Sequence, residues 1–191
     1  MTESDPRLPP LEPPYAPDIA AALQAMMPKN SPVEPLRLFR TLAVHPELAA
    51  AMHALGRFVL GRETAIGVRE RELVIDRVCA RCGCQYEWGV HASFFAARAG
   101  LSEAQIAATV HGDAEDAAWS EDDALIIRLV DELHDEAALS DSLWAELARR
   151  WSPPQLLELL LIAGWYHAIA YIANGLRVEL EPWALRFPQK N

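Results

Sequence analysis

Cysteine is scarce in this chain: three residues in 191, at positions 79, 82 and 84. An odd, crowded set makes a poor disulfide framework, so the expected setting is a reducing cytoplasm. The N-terminus lacks a basic stretch followed by an apolar core, so no signal peptide is expected. No long apolar run goes uninterrupted. The most apolar segment, 152–175, is broken by Glu158, Gly164, His167 and Asn174 and reads as a helix buried in protein, with no membrane partner. Excess positive charge is also missing. The net charge is −10, and residues 102–150 hold all of the excess, thirteen acids against three bases. Such a surface repels nucleic acid and anionic membranes, and its simplest use is as a solvated, solubilising face. No credible strand, fixed-period repeat or low-complexity tract is visible; Arg177 to Leu180 is too short to count.

Hydrophobic residues make up 51% of the chain and charged residues 23%, enough for one sizeable core. Nine of the fourteen prolines fall in residues 1–35. Proline blocks regular structure, so this stretch reads as an extended arm with a short helical patch from Asp18 to Met27. The arm either wraps its own domain or reaches a neighbouring subunit. From 36 to 191 the apolar period is helical. Leu48, Met52, Leu55 and Val59 follow Pro46, which suits a first helical position. Leu73, Val74 and Val78 mark the next helix, and Gly83 breaks the chain after it. Ser102 with Gln105 and Ser120 with Asp123 are capping patterns, and Ser152-Pro153-Pro154-Gln155 is a strong helix start running on to Leu176. The expected fold is an all-α bundle of about seven helices.

The motif helix, expected from Cys84 to Ala99, carries the chemistry. Cys84, Glu87 and His91 fall at i, i+3 and i+7, which puts a thiol, a carboxylate and an imidazole on one helix face. Glu72 lies twelve residues upstream. A thiol at a helix start is favoured as thiolate by the helix dipole. His91 is placed to shuttle a proton and Glu72 to act as a base. Each group also has an ordinary use: a small core cysteine, a satisfied histidine, and an i, i+4 pair of Glu87 with His91. The conjunction is what suggests a site. Tyr86 and Trp88 are candidates to line it, packing rather than reacting, and His167 is a candidate to face it from the final helix. Cys79 and Cys82 form a CxxC at a helix end, the wrong place for a redox pair. Zinc would need two more soft ligands, and Cys84 with a histidine is badly spaced, so no metal or cofactor is expected. His45, His53, His111 and His134 are assigned no role.

Arg71-Glu72-Leu73-Val74-Ile75, then Gly83-Cys84, Tyr86-Glu87-Trp88 and His91, resembles the carboxymuconolactone decarboxylase superfamily, which includes alkylhydroperoxidase D. The likeness runs from about Leu36 through the Trp144 helix and the long final helix. It implies an all-helical protomer of the alkylhydroperoxidase D-like type and a homo-oligomer, often a trimer or hexamer. Alkylhydroperoxidase D uses a glutamate and a CxxCxxxH motif. Carried over, Glu72 is the relay glutamate, Cys84 the first cysteine and His91 the histidine. Glu87 stands where the second, peroxide-attacking cysteine would be, so the two-cysteine cycle cannot run in its usual form. The resemblance then implies hydroperoxide reduction through Cys84 alone, with an external thiol reductant. The decarboxylase branch instead has a carboxylate four residues before its histidine, matched here by Glu87 and His91. That branch implies cofactor-free decarboxylation of a small lactone acid, with Glu87 and His91 as general acid and base and Cys84 lining the pocket; Arg71, Arg77 and Arg81 lie close enough in sequence to be candidates for holding a carboxylate. A third reading is a non-catalytic helical oligomer.

Overall fold

The computed structural model describes residues 5–28, 31 and 33–189. Among them are nine helices and no strand: α1 Pro17–Met26, α2 Arg37–Leu42, α3 Pro46–Val59, α4 Val68–Arg81, α5 Gln85–Phe95, α6 Glu103–His111, α7 Glu121–Glu136, α8 Asp141–Arg150 and α9 Pro153–Leu176. The fold is all-α, as the periodicity requires.

Helix α4 is the axis of the bundle, packed by α5, α6, α7 and α9. Every residue from Arg71 to Cys79 is buried, so its polar members need partners inside the protein. Three arginines of α4 find them on α7: Arg69 with Asp123, Arg77 with Asp131 and Arg81 with Asp135, each pair 54 residues apart. A constant offset means that α4 and α7 run parallel, side by side. The Arg69 and Arg77 contacts are bidentate at 2.8 Å, which fixes register as well as charge. The acidic stretch is therefore not simply a solvated face. Asp123 and Asp131 neutralise α4, and Asp123 also completes the capping box of Ser120.

Local signals place the other joints. The capping boxes at Ser102 and Ser120 form, and at Ser152 the Gln155 side chain accepts from the Ser152 backbone N–H. Gly83, at φ 61°, adopts the left-handed conformation that glycine tolerates best and turns the chain from α4 into α5. Helix α5 starts with Cys84 as its N-cap and ends at Phe95, short of the expected Ala99. The segment after it is taken by Arg69, whose guanidinium donates to the carbonyls of Ala99 and Gly100. Helix α9 is 24 residues long, and an 18-residue window of it has a mean hydropathy of 1.6. By length and composition alone it could cross a bilayer, a test that the core helix of a bundle also passes. Its buried stripe, Leu159, Ile162, Ala163, Tyr166, Ile169 and Ala173, packs here against α4 and α5. Glu158, one of the residues interrupting it, accepts from the backbone of Ala65 and Ile66 ahead of α4.

The two ends of the chain close over this frame. Arg7 donates from its backbone to Leu176 and from its side chain to Gly175, both at 2.9 Å, satisfying carbonyls at the end of α9. Arg40 holds Leu11 and Glu12. The described part of the arm thus lies on its own domain. At the other end, Leu185 donates to Ser93, and Phe187 packs edge-on against Trp88 at 5.2 Å. The tail crosses α5 at Gly89, where a β-carbon would run into the Leu185 carbonyl oxygen.

Gly89→Ala gains about 1 kcal/mol of helix propensity, but the obstacle is backbone, and overpacking costs about 1–3 kcal/mol. The overlap should win, lowering Tm by about 2–4 °C per net kcal/mol lost. An unchanged or raised Tm in a calorimetric scan would show that the tail does not seat on α5.

Candidate active site

Glu72 is fully buried and uses both carboxylate oxygens. Arg71 Nε donates to Oε1 at 2.7 Å, and His91 Nδ1 donates to Oε2 at 2.7 Å. Arg71 also lies over the Phe95 ring. The other nitrogen of His91, Nε2, sits 3.1 Å from the Tyr166 hydroxyl and 3.5 Å from Glu87 Oε1. Glu87 Oε2 is buried with no hydrogen-bond partner among the described residues. Helix α4 therefore supplies the glutamate, α5 the histidine and second carboxylate, and α9 the phenol.

The electrostatics follow from this packing. Burial alone would lower the His91 pKa, but the Glu72 carboxylate, and then Glu87, overcome it and push it up to about 10. At neutral pH His91 is an imidazolium, with both nitrogens donating. Tyr166 is kept a neutral phenol, its pKa raised first by burial and then by the charges of Glu87 and Glu72. With Nε2–H donating to its oxygen, its own proton is left for something else. Asp76, one turn along α4 from Glu72, is also buried; burial and then the Glu72 charge push its pKa well up, which favours the protonated acid.

A cavity of about 490 Å³ opens onto this group. Glu87, His91 and Tyr166 line its polar end, and its walls are apolar, including Leu38, Met52 and Phe95. Met26, Met27 and Pro28 of the arm form part of its wall. Arg57 and His53 from α3 also border it. Among the described lining residues Arg57 is the one permanent cation, and it makes no ion pair with a described residue.

The structure brings Glu72, Glu87 and His91 together, and it separates them from several other candidates. Cys84 does not line the cavity. It is fully buried at the N-cap of α5, and burial pushes its thiol up to about 12 despite the backbone N–H groups of Glu87 and Tyr86 that favour thiolate. The expectation of a dipole-stabilised thiolate fails because loss of water outweighs the helix terminus. Tyr86 does not line the cavity either. Its hydroxyl accepts from Leu38 N and donates to Glu181 at 2.8 Å, clamping α2 and the tail onto α5. Trp88 donates to Thr109 at 3.0 Å and belongs to the core. His167 lies on a different face of α9, bonded to Ala163 and His134; one residue along a helix is a rotation of about 100°, so Tyr166 takes the inward position. Arg71, Arg77 and Arg81 are spent on Glu72, Asp131 and Asp135, and no one of them borders the cavity. Tyr166, Arg57 and His53 are the residues the sequence reading missed. Tyr166 had a usable signal, since it falls on the buried stripe of α9 with a polar tip.

Comparisons with known proteins bear on the fold and on the segment that carries these residues. The sequence model of the Carboxymuconolactone decarboxylase family matches residues 46–127, a span that contains Glu72, Cys84, Glu87 and His91. The match spans 82 of the 191 residues, so the likeness to this family is carried by the segment that holds these four side chains. No curated relative matches the sequence. Three solved structures share the fold. An uncharacterized peroxidase-related protein from Silicibacter sp. TM1040 has a TM-score of 0.80 at 12% identity, over 95% of each chain. The debrominase Bmp8, solved with 2,3,4-tribromopyrrole, has a TM-score of 0.73 at 17% identity, over 93% of each chain. A protein of unknown function from Agrobacterium tumefaciens, described as an antioxidant defence protein of the AhpD type, has a TM-score of 0.66 at 21% identity, over 73% of this chain and 94% of its own.

A buried thiol with its pKa near 12 reacts slowly. In the folded, reduced protein, iodoacetamide should label half-buried Cys82 first and leave Cys84 unmodified until denaturant is added. Peptide mapping by mass spectrometry reads the order; early labelling of Cys84 would contradict the burial described here.

Proposed function

We propose that this protein is a cofactor-free acid–base enzyme acting on a small, mostly apolar ring acid, of which a carboxylated lactone is the model substrate. One observation carries the reading: the groups that reach the cavity are Glu87, His91 and Tyr166, whereas Cys84 does not. A cavity of about 490 Å³ with apolar walls suits such a ring. The fold neighbour Bmp8 was solved with a small planar heteroaromatic, which fits a ring-shaped ligand in the same class of fold. Arg57 at the cavity wall supplies a cation for a substrate carboxylate.

For decarboxylation the steps balance as follows. The bond from the ring carbon to its carboxylate breaks and carbon dioxide leaves. The electron pair passes into the conjugated lactone carbonyl as an enolate, which the Tyr166 hydroxyl stabilises by donating a hydrogen bond. A proton then returns to carbon from Tyr166, and His91 Nε2–H resupplies the phenol. Solvent reprotonates His91, so one proton is consumed per turnover. Glu72 keeps the imidazole oriented and charged, and the Glu87 carboxyl beside Nε2 provides the route by which that proton is replaced.

The thiol reading, hydroperoxide reduction at Cys84, draws support from the peroxidase-related and AhpD-type neighbours and is separable by experiment. Purified protein is offered a panel of lactone acids, with loss of absorbance and release of carbon dioxide followed, and separately an organic hydroperoxide. Turnover of a lactone acid is expected, reduced about 10²–10⁴-fold in Tyr166→Phe and Glu87→Gln and kept within a few-fold in Cys84→Ala. Peroxide consumption that disappears in Cys84→Ala, with no lactone turnover, would overturn the proposal.

A further inference from the structure

A second cluster of chemistry-bearing side chains lies away from the cavity, where the ends of α4 and α7 meet the middle of α9. Cys82 is the C-cap of α4, His134 sits in the last turn of α7, and His167 is the residue of α9 that turned away from the active site. Cys82 Sγ is 4.0 Å from His134 Nδ1, and that nitrogen is 3.0 Å from His167 Nε2. All three ligand atoms lie within 4.8 Å of one another. A tetrahedral zinc ion, with bonds of about 2.3 Å to sulfur and 2.0–2.1 Å to nitrogen, holds its ligand atoms about 3.3–3.6 Å apart. The observed separations bracket that span, so small side-chain rotations would close the site.

The hydrogen bonds prepare the ligands. His167 Nδ1 donates to the Ala163 carbonyl at 2.8 Å. That fixes its tautomer and leaves a lone pair on Nε2, the arrangement found in metal-binding histidines whose other nitrogen is held by a carbonyl. Arg81 is a nearby positive charge, but it is paired with Asp131 and Asp135, which offset it. Asn174 bonds the Cys82 carbonyl at 2.9 Å and steadies the turn that carries the thiol.

We propose that Cys82, His134 and His167 form a three-ligand site for a borderline-soft divalent cation of the zinc class, with the fourth position taken by solvent. All three residues are half-buried, which leaves that fourth position accessible. On binding, the Cys82 proton passes to solvent and His134 moves its remaining proton to Nε2, so the site gains a thiolate and two neutral imidazoles. The metal would tie α4, α7 and α9 together at the end of the bundle where the Arg–Asp ladder finishes. The CxxC spacing alone would not have shown this, because only Cys82 of the pair takes part; Cys79 is buried among apolar side chains.

The test uses the full-length reduced protein, stripped of metal, with Zn²⁺ as the probe in competition with a chromophoric chelator. Saturable uptake of one Zn²⁺ per chain is expected, weakened by about tenfold or more in Cys82→Ala and in His167→Ala and unchanged in His45→Ala. Co²⁺ loaded into the wild-type protein should show tetrahedral visible bands with a thiolate charge-transfer band that is lost in Cys82→Ala. Circular dichroism checks that the variants fold, and the wild-type cobalt spectrum is informative without them. Absence of saturable uptake, affinity unchanged in both ligand variants, or a cobalt spectrum with no thiolate band would overturn the proposal.

Discussion

Glu72 is the constraint on which the rest of the structure depends. It has no exposure to water, yet it holds two cationic partners, Arg71 on one oxygen and His91 on the other. Burying such a chain is not a cheap source of stability, since desolvation consumes most of the attraction. Its value lies in what it fixes. The ring of His91 is held with Nδ1 toward α4, so Nε2 must face Tyr166, Glu87 and the cavity. Removing one member would leave a buried charge without a partner and cost about 3–5 kcal/mol. On the proposed acid–base reading, substitutions at Glu72 or His91 therefore disturb folding and chemistry together, whereas Tyr166 and Glu87 give cleaner readings of the chemistry.

Two histidine environments in one small bundle show how position decides role. His91 is enclosed by carboxylates and carries a proton. His134 lies against His167, and burial first, then Arg81 and His167, lower its pKa. The difference comes from which helix faces meet. Helix α4 sends its acids, Glu72 and Asp76, into the core beside α5, and it sends Arg77 and Arg81 toward α7. The first set surrounds His91; the second, balanced by aspartates, lies beside Cys82, His134 and His167.

Much of this was legible in the sequence. The helical period from 36 onward, the Ser102, Ser120 and Ser152 caps and the break at Gly83 define the architecture, because they are local signals with local causes. Glu72, Glu87 and His91 were legible from helix spacing and family resemblance. What spacing could not provide was depth. Cys84 has the right helical phase for the site, yet it is the N-cap residue and sits in the wall between α4 and α5. Tyr86 and Trp88 are spent on Glu181 and Thr109, partners 95 and 21 residues away. Tyr166 and His167 are neighbours in sequence that face different surroundings, and only the packing of α9 tells them apart. Arg57 and the arm residues of the cavity come from parts of the chain that carry no motif at all.

The central claim is that His91 is a buried imidazolium held by Glu72 and presented to the cavity through Nε2. Nitrogen-15 NMR of the histidine rings across a pH series tests it most directly. His91 should show protons on both ring nitrogens at neutral pH, pass through the ordinary histidine range near 6.5 without change, and lose its proton only near pH 10. A neutral ring at pH 7.5, titrating near 6.5, would mean that Glu72 does not hold the charge and that the proton route described here does not operate.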